Sequence, residues 1–202
     1  MHRPGRWMIW VALAAAIALP LGLAAQSPLL AYRSPVYITA GFAGIVAMAL
    51  LLVQPLLVGG YLPGLSGLRG RRVHRLVGAG LVLAVIAHVA ALWVTSPPDV
   101  IDVLTFTSPT PFSVWGNVAM WAVFAAALLA VLRRPLRLRP RIWRKAHTAL
   151  AGVAVLGCVV HAVLIEGTME PLSKIGLCAL AVVATVWVLR DRRIWTPRAT
   201  SR

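Results

Sequence analysis

Six long apolar stretches limit what this chain can fold into. Each is close to the length of about 20 residues that a helix needs to cross the hydrocarbon core of a bilayer. Because lipid offers no hydrogen-bond partner to the backbone, such segments fold as helices. With 60% hydrophobic and 12% charged residues, residues 1–202 are predicted to form one all-α membrane domain, a polytopic bundle of six transmembrane helices. The stretches cover residues 7–25, 36–58, 73–94, 115–132, 146–165 and 172–189.

The basic residues are distributed unevenly around these spans. Except for Arg33 and Lys174, the 20 Lys and Arg residues lie near the start of the first span, around the second and fourth connections, or at the end of the sixth span. By the positive-inside rule, both termini are predicted to be cytoplasmic. The formal charge of +15 therefore reflects membrane topology, and we expect the partner to be the lipid bilayer rather than nucleic acid.

The first span has a second interpretation. A basic start and a Leu-Ala-Ala sequence before Gln26 also resemble a cleavable signal peptide. The apolar run is long for a signal peptide, which favours a retained helix. Either outcome leaves the later spans unchanged.

One connection is long and has no basic residue. It covers residues 96–113, and its apolar middle at residues 100–106 is predicted to form a short helix or cap at the outer interface. Asp99 and Asp102 lie in this connection, and Glu166 lies in the last one. We interpret these acidic residues as solvated loop charges, with attraction of a ferric complex as the alternative.

Four of the five histidines recur at one spacing inside the spans. His74 and His88 lie in the third span, and His147 and His161 lie in the fifth, each pair fourteen residues apart. Because a helix turns about 100° and rises about 1.5 Å per residue, this step returns both rings to nearly one face, about 21 Å apart. The two spans run in the same direction, so His74 is expected at the depth of His147, and His88 at the depth of His161.

Such a layout suits haem ligation. Neutral imidazole is a good iron ligand, and a haem with two axial histidines takes one from each side of the ring. Two such groups at two depths would form an electron path across the membrane. A histidine within a membrane can also simply hydrogen-bond to a neighbouring helix, but this leaves the repeated spacing unexplained. Four glycines near the histidines are predicted to let a flat macrocycle approach the backbone: Gly78, Gly80, Gly152 and Gly157.

The run His74-Arg75-Leu76-Val77-Gly78, followed by His88 and by His147 and His161 on a later span, resembles the ferric reductase-like transmembrane domain superfamily. This superfamily includes the membrane parts of ferric reductases and NADPH oxidases, and the haem subunit of the bacterial methionine sulfoxide reductase system. The resemblance covers residues 36–190. It implies a six-helix bundle that holds b-type haem between the third and fifth spans, with these four histidines as ligands.

The resemblance also implies partners. Oxidases and eukaryotic ferric reductases carry a flavin- and NADPH-binding module, and this sequence contains no Gly-rich dinucleotide fingerprint. Electrons are therefore expected from a separate cytoplasmic flavoprotein reductase or from membrane quinol. The acceptor is expected outside the cytoplasm, ferric iron first and a periplasmic reductase partner second. The methionine sulfoxide reductase subunit commonly lacks a counterpart of His74, so both pairs favour the two-haem, ferric-reductase-like branch in a bacterial inner membrane.

Further residues near the histidines have two interpretations. The guanidinium groups of Arg75 and Arg144 are candidate partners of haem propionates, as are Arg72 and Lys145, although the positive-inside rule explains the same charges. We interpret Trp143 as part of an interfacial aromatic belt. Cys158 and Cys178 are interpreted as packing residues in apolar runs.

Two rival functions remain. A metal or proton transporter using the histidines would be expected to carry acidic residues within its spans, whereas all five acidic residues lie at or beyond the span ends. A structural anchor subunit would leave the histidine spacing unexplained. No Ser/His/Asp or Cys/His arrangement indicates nucleophilic catalysis, so whether the chain is itself an enzyme stays open.

Overall fold

The fold is that of a helical bundle, and the computed structural model describes residues 5–191. All helices in this range except the short α4 are long and apolar enough to cross a membrane, which confirms the predicted six-span, all-α architecture. The cytoplasmic placement of the termini stays a prediction. The α-helices are α1 (Gly5–Ala25), α2 (Pro35–Gly59), α3 (Gly67–Thr95), α4 (Pro97–Leu104), α5 (Pro111–Leu132), α6 (Pro140–Leu164) and α7 (Pro171–Arg190), with a 3-10 turn at Pro28–Tyr32.

Proline marks the start of several helices. It occupies the first turn of α2, α4, α5, α6 and α7, where its missing N–H removes no helical hydrogen bond. The helices α3 and α6 begin six residues before their apolar stretches, because Arg and Lys are good helix formers and continue the helix beyond the lipid. The basic residues before the inner histidines therefore lie on the first turns of these two helices.

The helices pack as two antiparallel pairs joined by α7. Helix α2 lies along α3, α5 lies along α6, and α7 packs against α2 and α6. Helix α1 contacts α7 and α2 from the outside of the bundle. Many large apolar side chains on the outer surface are exposed, as expected for helices that face lipid rather than water.

The buried core lies at mid-depth. It is formed mainly by small and aliphatic residues of α2, α5, α6 and α7, with Leu81 from α3. Leu81 lies seven residues from both His74 and His88, and Ala154 lies seven residues from both His147 and His161. Both midpoint residues are buried, so an apolar layer separates the two histidine levels.

A fully buried asparagine docks the short helix α4. Asn117 of α5 has no exposed surface, and its Nδ2 donates a hydrogen bond of 2.7 Å to the carbonyl of Val103. This bond holds the end of α4 against α5. The predicted cap at residues 100–106 is thus a helix that begins and ends slightly earlier, at Pro97 and Leu104.

We expect Asn117→Leu to lower the free energy of unfolding by about 1–3 kcal/mol, because it removes the short bond to the Val103 carbonyl and leaves the longer one, 3.2 Å, from the Phe106 N–H. Thermal unfolding in detergent, followed by circular dichroism, measures the change. Thr185→Val is a matched control, since Thr185 bonds only to Ala181 of its own helix, and its effect should stay within about 0.5 kcal/mol. Equal unfolding temperatures for the two variants would contradict this role of Asn117.

Candidate functional site

The four histidines of the spans meet as two pairs between α3 and α6. The ring centroids of His74 and His147 are 6.4 Å apart, with an interplanar angle of 73°. Those of His88 and His161 are 6.5 Å apart, with an angle of 81°. Because the first histidine of one helix pairs with the first of the other, α3 and α6 run parallel. The two pairs have nearly the same geometry at two levels of the bundle.

The outer pair, His88 and His161, is fixed by backbone carbonyls of the flanking helices. Nδ1 of His88 lies 2.7 Å from the carbonyl oxygen of Ala40 in α2, and Nδ1 of His161 lies 2.9 Å from that of Phe112 in α5. A carbonyl only accepts, so both rings carry the proton on Nδ1. The lone pair on each Nε2 is therefore free for a ligand bond, with the ring orientation set by the other nitrogen.

Glycine makes these two close approaches possible. A Cβ at Gly44 would lie 3.1 Å from Nδ1 of His88, and one at Gly116 would lie 2.7 Å from Nδ1 of His161. Each glycine follows the acceptor carbonyl by four residues, so it lies one turn further along the same helix face. The missing side chain lets the imidazole rest on the backbone of α2 or α5.

The inner pair, His74 and His147, has a different support. The backbones of Gln54 and Ala126 take the equivalent places beside these rings, but within the described chain Nδ1 of each ring is buried without a hydrogen bond. His147 instead stacks on Trp143, with centroids 5.3 Å apart and an interplanar angle of 14°.

Trp143 is itself covered by a cation. The guanidinium carbon of Arg133 lies 4.3 Å from the centre of the Trp143 ring. The interpretation of Trp143 as part of an interfacial aromatic belt thus misses its stacking on His147 of the inner pair.

A cavity opens beside the outer pair. Its volume is about 790 Å³, and His88 and His161 both line it. This volume lies within the usual range of about 300–1,000 Å³ for cofactor and ligand sites. Gly44, Gly116 and Asn117 also contribute to its wall. Its charged lining residues are Arg33, Asp99, Asp102, Glu166 and Lys174.

The donor set fits a macrocycle better than a bare metal ion. Two imidazole–metal bonds of about 2 Å each, together with the half-widths of the rings, span about 6 Å, which agrees with the two centroid distances. Helices α3 and α6 are not among the closely packed pairs, and their histidine rings approach each other where the two backbones do not. Within residues 5–191, no group of three or more His, Cys, Asp or Glu side chains could hold a metal ion, and a haem needs only two.

Other predicted site residues lie near the inner pair, and among the described residues no hydrogen bond or ring contact joins them to it. Arg75 is exposed and directly follows His74, and Arg144 is half-buried one turn before His147. Their role toward propionates stays a prediction, as does that of Arg72 and Lys145. Both cysteines are free: Cys178 is buried and Cys158 is half-buried, and both line the outer cavity.

The role predicted for the glycines of α3 and α6 is corrected at two positions. A Cβ at Gly157 would meet Ala119 and the carbonyl of Trp115 at 2.9 Å, and one at Gly78 would meet the Gln54 side chain at 3.1 Å. These two glycines therefore serve helix packing, because a neighbouring helix already occupies the space beside them.

Sequence reasoning missed the supporting residues on α2 and α5. The acceptor Ala40 and the equivalent Gln54 are fourteen residues apart, as are Phe112 and Ala126. The flanking helices thus repeat the histidine spacing in reverse order. Backbone carbonyls leave no residue-type signal, and only Gly44 and Gly116 mark the two places in the sequence.

One protein family matches this chain. The family model described as a ferric reductase-like transmembrane component covers residues 40–158, which is more than half of the sequence. The match includes His74, His88 and His147, and it ends three residues before His161. No curated protein and no solved structure matches the chain.

Proposed function

This chain belongs to the family of ferric reductase-like transmembrane components, and on that premise we propose that it carries single electrons across a membrane through two b-type haems. Domains of this family generally bind haem, and membership supports a role in membrane electron transfer. The observation that carries the proposal is the repetition of one histidine pair at two levels between the same two helices. One level would bind a cofactor, and two levels form a path.

The residues of the chain hold and orient the ligands. His74 and His147 would hold the inner haem, and His88 and His161 the outer haem. Each haem, when bound, supplies a one-electron couple of its iron. At the outer level, the hydrogen bonds from Nδ1 to backbone carbonyls fix the tautomer and the orientation of each ring and raise the basicity of Nε2 as a ligand.

The apolar layer between the levels has a role of its own. Leu81 and Ala154 are buried within a cluster of apolar side chains, and such a layer is costly for a hydrated ion to cross. An electron needs no polar groups to cross it, whereas a proton or a metal ion does. This observation favours electron transfer over the rival histidine-based transporter.

The proposed partners follow from the two ends of the bundle. The basic first turns of α3 and α6 suit an acidic cytoplasmic flavoprotein, with membrane quinol as the other candidate donor. At the opposite end, the outer cavity gives an acceptor access to the level of His88 and His161. We propose ferric iron as that acceptor and a periplasmic reductase as the second candidate, in a bacterial inner membrane.

A reduced-minus-oxidised absorption spectrum of the purified chain tests this function. We expect b-type bands and about two haems per chain, since each histidine pair supplies the two axial ligands of one haem. The pyridine haemochrome assay measures the haem content against the protein concentration. Protein purified after expression with ample haem supply that has no such bands would contradict the proposed function.

A further inference from the structure

Lys174 is buried, which is rare for a lysine without a partner of opposite charge. It lies in the first turn of α7, and only 9% of its surface is exposed. Its Nζ donates one hydrogen bond, 2.9 Å long, to the carbonyl of Ile165 at the end of α6. An ammonium group has three N–H donors, and burying its charge is costly unless it is paired. The carbonyl at a helix end carries only part of a negative charge.

The nearest carboxylate along the chain is occupied elsewhere. Glu170 lies one turn before Lys174, and its two oxygens accept hydrogen bonds from the backbone N–H groups of Leu172, at 2.8 Å, and Ser173, at 2.7 Å. These bonds lower the pKa of the Glu170 carboxyl, so the group stays ionised as the cap of α7. Across residues 5–191, no ion pair joins Lys174 to a carboxylate.

The positive-inside rule does not explain Lys174. Lys174 and Arg33 are the two basic residues on the predicted outer side, where this rule depletes positive charge. Both line the cavity that His88 and His161 also line. The guanidinium carbon of Arg33 lies 4.8 Å from the centre of the Tyr37 ring, which holds it at the entrance of α2. Two cations that are exceptions to the charge distribution therefore share one cavity.

We propose that Lys174, assisted by Arg33, binds a carboxylate group inside the outer cavity. The carboxylate has two possible sources with the same chemistry: a propionate of the macrocycle held by His88 and His161, or a soluble carboxylate ligand such as one that chelates ferric iron. The first source rests on the proposed function. The carboxylates of Asp99, Asp102 and Glu166 also line this cavity, but within residues 5–191 none of them pairs with Lys174. In either case the ammonium gains a charge-assisted hydrogen bond and a direct counter-ion.

The test compares the purified wild-type chain with Lys174→Met and Lys174→Arg. Methionine fills the buried position without a charge, so we expect the bundle to fold. Redox titration measures the potential of each haem, and thermal unfolding with increasing sodium citrate measures binding of a soluble carboxylate. Arg190→Met, which removes an exposed cation at the other end of α7, is the matched control.

If the bound carboxylate is a propionate of the porphyrin, Lys174→Met should lower the potential of one haem, because a cation near the haem favours its reduced state. The potential of the other haem should not change in Lys174→Met, and both haems should keep their wild-type potentials in Lys174→Arg and in Arg190→Met. Citrate should change none of these potentials. If the bound carboxylate is instead a soluble ligand, citrate should raise the unfolding temperature of the wild type and not of Lys174→Met.

Unchanged haem potentials together with an unchanged citrate response in Lys174→Met would overturn the proposal and leave Lys174 as a cap of α6. Wild-type protein without haem would contradict the proposed function, and the citrate arm would still decide the role of Lys174.

Discussion

Replacing His161 with alanine should remove one of two haems and leave the other in place. The expected haem content falls from about two per chain to about one, because a six-coordinate haem loses one of its two axial ligands. His88→Ala should give the same spectrum as His161→Ala, since the two rings face each other at 6.5 Å. His74→Ala and His147→Ala should remove the other haem. Absorption spectra and the pyridine haemochrome assay of the purified variants measure both effects.

The double variants make this expectation sharper. His88→Ala with His161→Ala should still bind one haem, because both changes lie at the same level. His74→Ala with His161→Ala should bind none, because each level loses one ligand. His2→Ala is the control, since His2 is the one histidine outside the four of the spans. An equal haem content in the two double variants would show that the pairs are assigned wrongly.

Adding one methyl group at Gly116 should weaken the outer site without any change to a ligand. The new Cβ would lie 2.7 Å from Nδ1 and 2.9 Å from Cε1 of His161, so the ring must move away from the Phe112 carbonyl. Loss of such a supporting bond typically lowers the affinity of a metal site by about 10- to 100-fold. We expect Gly116→Ala to be purified with about one haem per chain. The remaining outer haem should have a raised potential, because a less basic imidazole stabilises the oxidised iron less.

Two other glycines provide the comparison. Gly44→Ala should have a smaller effect of the same kind, because its Cβ would lie 3.1 Å from Nδ1 of His88 and a shift of a few tenths of an ångström relieves the contact. Gly176→Ala in α7 should keep both haems, because a Cβ there meets nothing within 4 Å and α7 carries none of the four histidines. All three changes increase helix propensity by about 1 kcal/mol, so unfolding should not explain a lost haem. The same haem content and potentials in Gly116→Ala as in Gly176→Ala would show that the Nδ1 bonds do not support the outer site.

Much of the candidate site could be predicted from local sequence. A period of fourteen residues nearly equals four helical turns, so His74 and His88 share a face of α3 in any regular helix. The distribution of basic residues then predicts that α3 and α6 run in the same direction, and their histidine pairing agrees with this. Local spacing could not reveal the difference between the two levels. Both pairs have the same sequence pattern, yet among the described residues the outer rings hydrogen-bond to a carbonyl and the inner rings, beside Gln54 and Ala126, do not.

The number of spans, their helical class and the repeated histidines follow from local sequence alone, because apolar length and helical period act within one segment. Tertiary packing selects the backbone that each outer imidazole contacts and stacks Trp143 on His147. It also placed Lys174 in the same cavity as His88. These contacts join residues far apart in the chain, and a carbonyl acceptor or the space beside a glycine has no sequence signature of its own. They exist only once neighbouring helices have packed at a defined depth and rotation.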